Sequence, residues 1–162
     1  MSEHLIEVTI NGERMTRHVQ ARLSLSDFLR GDAGFTGVHI GCEHGVCGAC
    51  TVIVDGAAVR SCSMLAVQAD GSAITTVEGL TGAEGGLTRV QRALHEEHGL
   101  QCGFCTPGVV MTLTTLVEGE TKPTGEDLIA ALSGHLCRCT GYMGIKRAAR
   151  RLAQEISAGE AP

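Results

Sequence analysis

Aromatic residues are nearly missing from this chain: they make up 2% of 162 residues, with no Trp, one Tyr and three Phe. Few flat side chains are therefore available to stack on bases. With 18 Asp+Glu against 13 Lys+Arg, a net charge of −5, the chain also lacks the basic footprint of a nucleic-acid binder. No apolar run approaches the roughly 18 residues of a membrane-spanning helix. Met1-Ser2-Glu3-His4 lacks the basic start of a secretory signal, so a cytoplasmic location is expected. Proline is scarce as well, at 3, whereas Gly reaches 22 and Cys 8. With 43% hydrophobic and 19% charged residues the composition is that of a globular protein, which excludes disorder as the dominant state. The length suits one or two domains. Stable disulfides are rare in a reducing compartment, so the thiols read as metal ligands or redox groups.

Two halves follow different periodicities, predicting an α+β protein. In the first, Ile6, Val8 and Ile10 alternate with polar residues, and Asn11-Gly12 then signals a hairpin with a return strand from Arg14 to Val19. Ser24 to Asp27 resembles a capping box opening a short helix through Arg30, with Leu25, Phe28 and Leu29 for its core. Thr51 to Val54, Asp55-Gly56 and Ala57 to Val59 form a second hairpin, and Ala73 to Val77 a last strand. The second half reads as four short helices. Leu87, Val90 and Leu94 mark one, stopped at Gly99, and Val109 to Val117 another, with Pro107 in its first turn. Thr124 caps a third, ended by Gly134, and Ile145 to Ile156 form a fourth with Lys146, Arg147, Arg150 and Arg151 off its apolar stripe. The period changes where Gly79, Gly82, Gly85 and Gly86 cluster, dividing the chain into residues 1–78 and 79–162. Ser157 to Pro162 read as a frayed tail.

The cysteines divide the same way, four to each half. Cys42, Cys47, Cys50 and Cys62 have the C-x4-C-x2-C…C spacing of a plant-type [2Fe–2S] site. Gly41, Gly45 and Gly48 are expected at positive φ, letting the loop curl and aim N–H groups at the sulfurs. His44 lies inside the loop, but four thiolates already complete the set without a Rieske-type ligand. Cys102, Cys105, Cys137 and Cys139 form the second set, each pair preceding a helix, where the positive dipole end favours a thiolate. Alone, this set suits a structural zinc as well as a cluster. The neighbouring ferredoxin-type set tips the reading toward a second [2Fe–2S] cluster.

Gly41-Cys42-Glu43-His44-Gly45-Val46-Cys47-Gly48-Ala49-Cys50-Thr51-Val52 resembles the first cluster motif of the iron–sulfur subunits of the xanthine dehydrogenase, or molybdenum hydroxylase, family. Gln101-Cys102-Gly103-Phe104-Cys105-Thr106-Pro107-Gly108 and Leu136-Cys137-Arg138-Cys139-Thr140-Gly141-Tyr142 resemble its second. The resemblance covers nearly the whole chain. It implies a β-grasp ferredoxin domain followed by a four-helix bundle, with the first cysteine set holding an outer cluster and the second an inner one. It also implies that Gln101 and Cys139 hydrogen-bond a pterin. Implied partners are a large subunit carrying molybdenum on a molybdopterin dinucleotide, of the cytosine type, and a medium subunit carrying FAD, paired as a dimer of heterotrimers. Phe104 is expected to pack between the domains, and Arg138 either offsets cluster charge or is solvated. The chain then relays electrons singly and supplies no substrate chemistry of its own. The competing readings are a stand-alone two-cluster carrier and a zinc-stabilised interaction module.

Overall fold

Asn11 and Gly12 both take positive φ, 51° and 85°, as a two-residue hairpin turn demands. In the computed structural model, which describes residues 3–82 and 85–159, this turn joins β1 (Glu3–Ile10) to β2 (Glu13–Gln20). Asp55 and Gly56 repeat the device, φ 48° and 83°, between β3 (Thr51–Val54) and β4 (Ala57–Arg60). β5 (Ala73–Thr75) runs parallel to β1 and antiparallel to β3, giving a five-stranded mixed sheet in the order β2-β1-β5-β3-β4.

β5 stops short of the expected Val77, and Val77–Gly79 is a 3-10 turn instead. The Asn11 side chain ends the strand by binding Thr76 twice, accepting its N–H and donating to its hydroxyl, both at 2.9 Å. Ser24 caps α1 (Leu25–Asp27) by accepting the Asp27 N–H at 3.1 Å, and the chain continues as a π turn over Phe28–Asp32. Leu25, Phe28 and Leu29 are fully buried and share one core with Ile6, Val8, Ile10, Val52 and Ile74. Each such side chain contributes about 1.5–3 kcal/mol of burial, which holds the helix on the sheet.

The second half contains α2 (Arg89–Glu96), α3 (Thr106–Val117), α4 (Gly125–Ala131) and α5 (Met143–Ala158). Thr88 and Gln91 cap α2 reciprocally, so Leu87 falls outside the helix and is exposed. Thr124 and Asp127 do the same for α4, whose end tightens into a 3-10 turn over Leu132–Gly134. Val90, Leu94, Val109, Leu113, Leu128 and Leu152 meet in the helical core. Ser157 and Ala158 remain helical rather than frayed, and Gly159 ends α5 at φ 73°; residues 160–162 lie outside the described residues.

The arginines of α5 face acidic residues of this same chain. Arg147 pairs with Glu97, Arg150 with Glu126, and Arg151 with Glu96, Glu97 and Glu155. Among the described residues, no helix is long and apolar enough to cross a membrane.

Candidate metal centre

The first cysteine loop curls by a different set of residues from the one its glycines suggest. Gly45 and Gly48 take positive φ, 80° and 79°, but the third such residue is Glu43 at 60° rather than Gly41. Gly41 is constrained by space: a Cβ there would lie 3.1 Å from Cys47 Sγ. The curl aims backbone donors at sulfur. Cys47 N–H reaches Cys42 Sγ at 3.4 Å, Gly45 N–H reaches Cys62 Sγ at 3.3 Å, and Cys62 N–H reaches Cys50 Sγ at 3.5 Å. The His44 and Cys47 N–H groups hold the Cys42 thiol down to about 6. Thus His44 serves the loop through its backbone, and its ring is at the exposed rim. Burial pushes the Cys50 thiol up.

The second set comes from two segments far apart in sequence. Cys102 Sγ and Cys139 Sγ lie 3.3 Å apart and both residues are exposed. The Phe104 N–H, then the Cys139 thiol, lower Cys102. Cys105 sits at the N-cap of α3, yet burial pushes its thiol up to about 12. The expectation that a helix N-terminus favours thiolate here is overridden by desolvation. For Cys137 burial again pushes upward, but the Thr140 hydroxyl at 3.0 Å and the Thr140 and Cys139 N–H groups outweigh it, leaving the thiol lowered. Tyr142, left-handed at φ 67°, accepts the Cys137 N–H on its hydroxyl at 3.0 Å. Gln101 and Arg138 are exposed beside these thiols.

Each set resolves into pairs. Cys139 and Cys102 hydrogen-bond thiol to thiol, and Cys42 with Cys47, Cys50 with Cys62, and Cys105 with Cys137 are near enough to perturb each other's ionisation. Four thiolates also suit a tetrahedral zinc, which draws all four sulfurs onto one ion. A two-iron group takes two ligands on each iron, so paired thiols with inward N–H donors suit it.

The two loops also touch. Leu136 N–H donates to the Cys47 carbonyl at 2.9 Å. A Cβ on Gly108, in the first turn of α3, would lie 2.2 Å from the Gly48 carbonyl oxygen, so that helix rests directly on the first loop. Phe104 stacks on His39 at 4.8 Å between ring centroids and 15° between planes, with His39 Nδ1 2.8 Å from the Phe104 carbonyl. His135 is buried, its Nε2 2.8 Å from Thr112 Oγ1. Burial, then the nearby Arg60 charge, lowers its pKa to about 4, so its ring is neutral. Sequence reasoning missed His135, Thr112 and Arg60 as parts of this site, and quoted Tyr142 in the second motif without giving it a role. The Tyr142 role had one available signal: it is the lone tyrosine, five residues past Cys137.

Comparison with known proteins finds two family models on this chain. Residues 8–80 match the 2Fe-2S iron-sulfur cluster binding domain family and residues 76–150 match the [2Fe-2S] binding domain family. The nicotine 6-hydroxylase small subunit of Paenarthrobacter nicotinovorans is 55% identical over 143 residues, covering 88% of this chain and 86% of that one. A probable xanthine dehydrogenase subunit of Bacillus subtilis (strain 168) is 42% identical over 152 residues, covering 94% and 87%. Quinoline 2-oxidoreductase from Pseudomonas putida 86 superposes with a TM-score of 0.87 at 43% identity, covering 98% of this chain and 99% of the matched one. With two iron–sulfur binding domains in order and relatives matched over nearly their full length, the chain belongs to the small two-[2Fe–2S] subunits of the xanthine dehydrogenase, or molybdenum hydroxylase, family.

Proposed function

We propose that Cys42, Cys47, Cys50 and Cys62 hold one [2Fe–2S] cluster and Cys102, Cys105, Cys137 and Cys139 the other, in domains spanning residues 1–78 and 79–162. The first is read as a β-grasp sheet and the second as a four-helix bundle. As the iron–sulfur subunit of a molybdenum-dependent oxidoreductase, the chain relays electrons from a large subunit toward an acceptor. The clusters supply one-electron redox capacity when bound. The chain's own residues fix where the thiolates lie, donate N–H groups to them, and exclude water from the Cys50, Cys105 and Cys137 side.

The observation that carries this reading is two sets of four cysteines whose sulfurs meet backbone N–H and hydroxyl groups, in loops joined by the Leu136–Cys47 hydrogen bond. The exposed Cys102–Cys139 edge, with Gln101 beside it, supports a pterin on that side, held by a large molybdopterin subunit of the cytosine dinucleotide type. The opposite loop around Cys42 and Cys62 then faces an FAD-binding medium subunit, in a cytoplasmic dimer of heterotrimers. On this reading the substrate chemistry takes place in the large subunit, and this chain contributes electron relay alone.

The test is to purify the tagged chain anaerobically from its native host, with metal and flavin analysis of whatever accompanies it. Two larger chains bearing molybdenum and FAD are the expected result. A brown, partnerless chain holding both clusters would favour the stand-alone carrier, and a colourless chain with zinc would favour the interaction module.

A further inference from the structure

The contact between the two cysteine loops contains a charged side chain that the thiol chemistry does not account for. Arg60 ends β4, and the register of the hairpin sets it opposite Thr51. From there its Nη1 donates to the Thr51 hydroxyl, which in turn donates to the Gly48 carbonyl at 2.6 Å. Its Nη2 crosses to the helical half and donates to the Gly134 carbonyl at 3.0 Å. The fit at that end is close: a Cβ on Gly134 would lie 2.9 Å from Nη2.

Both anchors of this guanidinium, and Arg60 itself, lie within three residues of a proposed ligand. Thr51 follows Cys50, Cys62 is two residues beyond Arg60, and Gly134 begins the run Gly134-His135-Leu136-Cys137. The Gly134–Leu136 stretch is the same one that docks on the first loop through Leu136 and Cys47. A planar guanidinium offers two donors in a fixed fork, so it bridges two acceptors at a defined spacing. A lysine ammonium in the same place satisfies one of them at a time.

We propose that Arg60 is a positioning residue for electron transfer, a brace that fixes the spacing and orientation of the two iron–sulfur loops relative to each other. The proposal rests on the two-cluster reading above. The step it serves moves one electron from the reduced cluster of one set to the oxidised cluster of the other, with no proton or group transferred. Its rate depends steeply on that spacing, whereas the ligation of each cluster does not depend on Arg60.

The experiment compares the full-length chain with its Arg60→Leu and Arg60→Lys variants, each loaded anaerobically with iron and sulfide and reduced with dithionite. Iron, labile sulfide and spin count are read on each protein, and pulsed dipolar resonance then reads the coupling between the two reduced clusters. The native chain is expected to give two signals and one narrow dipolar frequency. Arg60→Leu is expected to keep both signals while the frequency shifts and spreads, and Arg60→Lys to recover part of the native value. A frequency in Arg60→Leu as narrow as the native one, and unshifted, would overturn the brace. Should Arg60→Leu load poorly, Arg60→Lys decides in the same way: a shifted or broadened frequency supports the brace, and a native one overturns it. Fewer than two signals in the native chain would remove the two-cluster reading itself, a failure seen before any variant is compared.

Discussion

Gly48 and His135 sit against each other so closely that a Cβ on Gly48 would lie 2.5 Å from His135 Nδ1. One belongs to the first cysteine loop and the other to the second, so this contact sets how near the two halves approach. Gly48 also takes φ 79°, a conformation that side chains other than glycine's adopt at a cost. Gly48→Ala is therefore expected to lower stability by about 1–3 kcal/mol through overpacking alone. Denaturant unfolding of the variant checks it, and a native midpoint would contradict the dovetailing of the loops.

Gly108→Ala reverses an ordinary expectation. Alanine in a helix is favoured over glycine by about 1 kcal/mol. Here the new methyl would lie 2.2 Å from the Gly48 carbonyl oxygen, a backbone atom that cannot swing away. The variant is expected to be less stable than the native chain. Gly31→Ala, where a Cβ meets nothing within 4 Å, serves as the control and is expected to be near neutral.

Thr112→Val removes the hydrogen-bonding partner of a buried ring. His135 Nε2 then has no acceptor or donor opposite it, and leaving such a group unpaired costs about 1–3 kcal/mol. Thermal melts of Thr112→Val and Thr112→Ser separate the two contributions: serine keeps the hydroxyl and is expected to recover most of the loss.

The cap of α4 gives a pH dependence of known sign. The Thr124 hydroxyl and N–H donate to Asp127 and hold its carboxyl below the usual carboxylate range. Because the folded form favours the ionised carboxylate, this contribution is present in full above the unfolded value near 3.9 and is lost as pH falls through the lower folded value. Asp127→Asn is expected to unfold at lower denaturant than the native chain at pH 7, with the difference shrinking toward pH 3. A gap that stays constant with pH would contradict the carboxylate's role.

Much of this site was legible in the sequence because its signals are local. Cysteine spacing, the Asn11-Gly12 and Asp55-Gly56 turns and the Thr124 cap act over a few residues, and the structure contains each of those local elements. The loop glycines were misjudged because two demands look alike in sequence: Gly41 is needed for room beside Cys47, and Glu43 takes the positive φ. Arg60, Thr112 and His135 were invisible for another reason. Arg60 meets Gly134 across 74 positions and Thr112 meets His135 across 23, and no periodicity encodes such pairings. The pairing of the α5 arginines with Glu96, Glu97 and Glu126 was invisible for the same reason, since those carboxylates lie far off in sequence.

Low-temperature electron paramagnetic resonance of the anaerobically purified, dithionite-reduced protein tests the central claim most directly. The account predicts two distinct [2Fe–2S] signals integrating to about two spins per chain. Cys47→Ser is expected to remove one of them and Cys105→Ser the other. A single signal, or colourless protein that iron and sulfide do not restore, would contradict the assignment of the eight cysteines to two clusters.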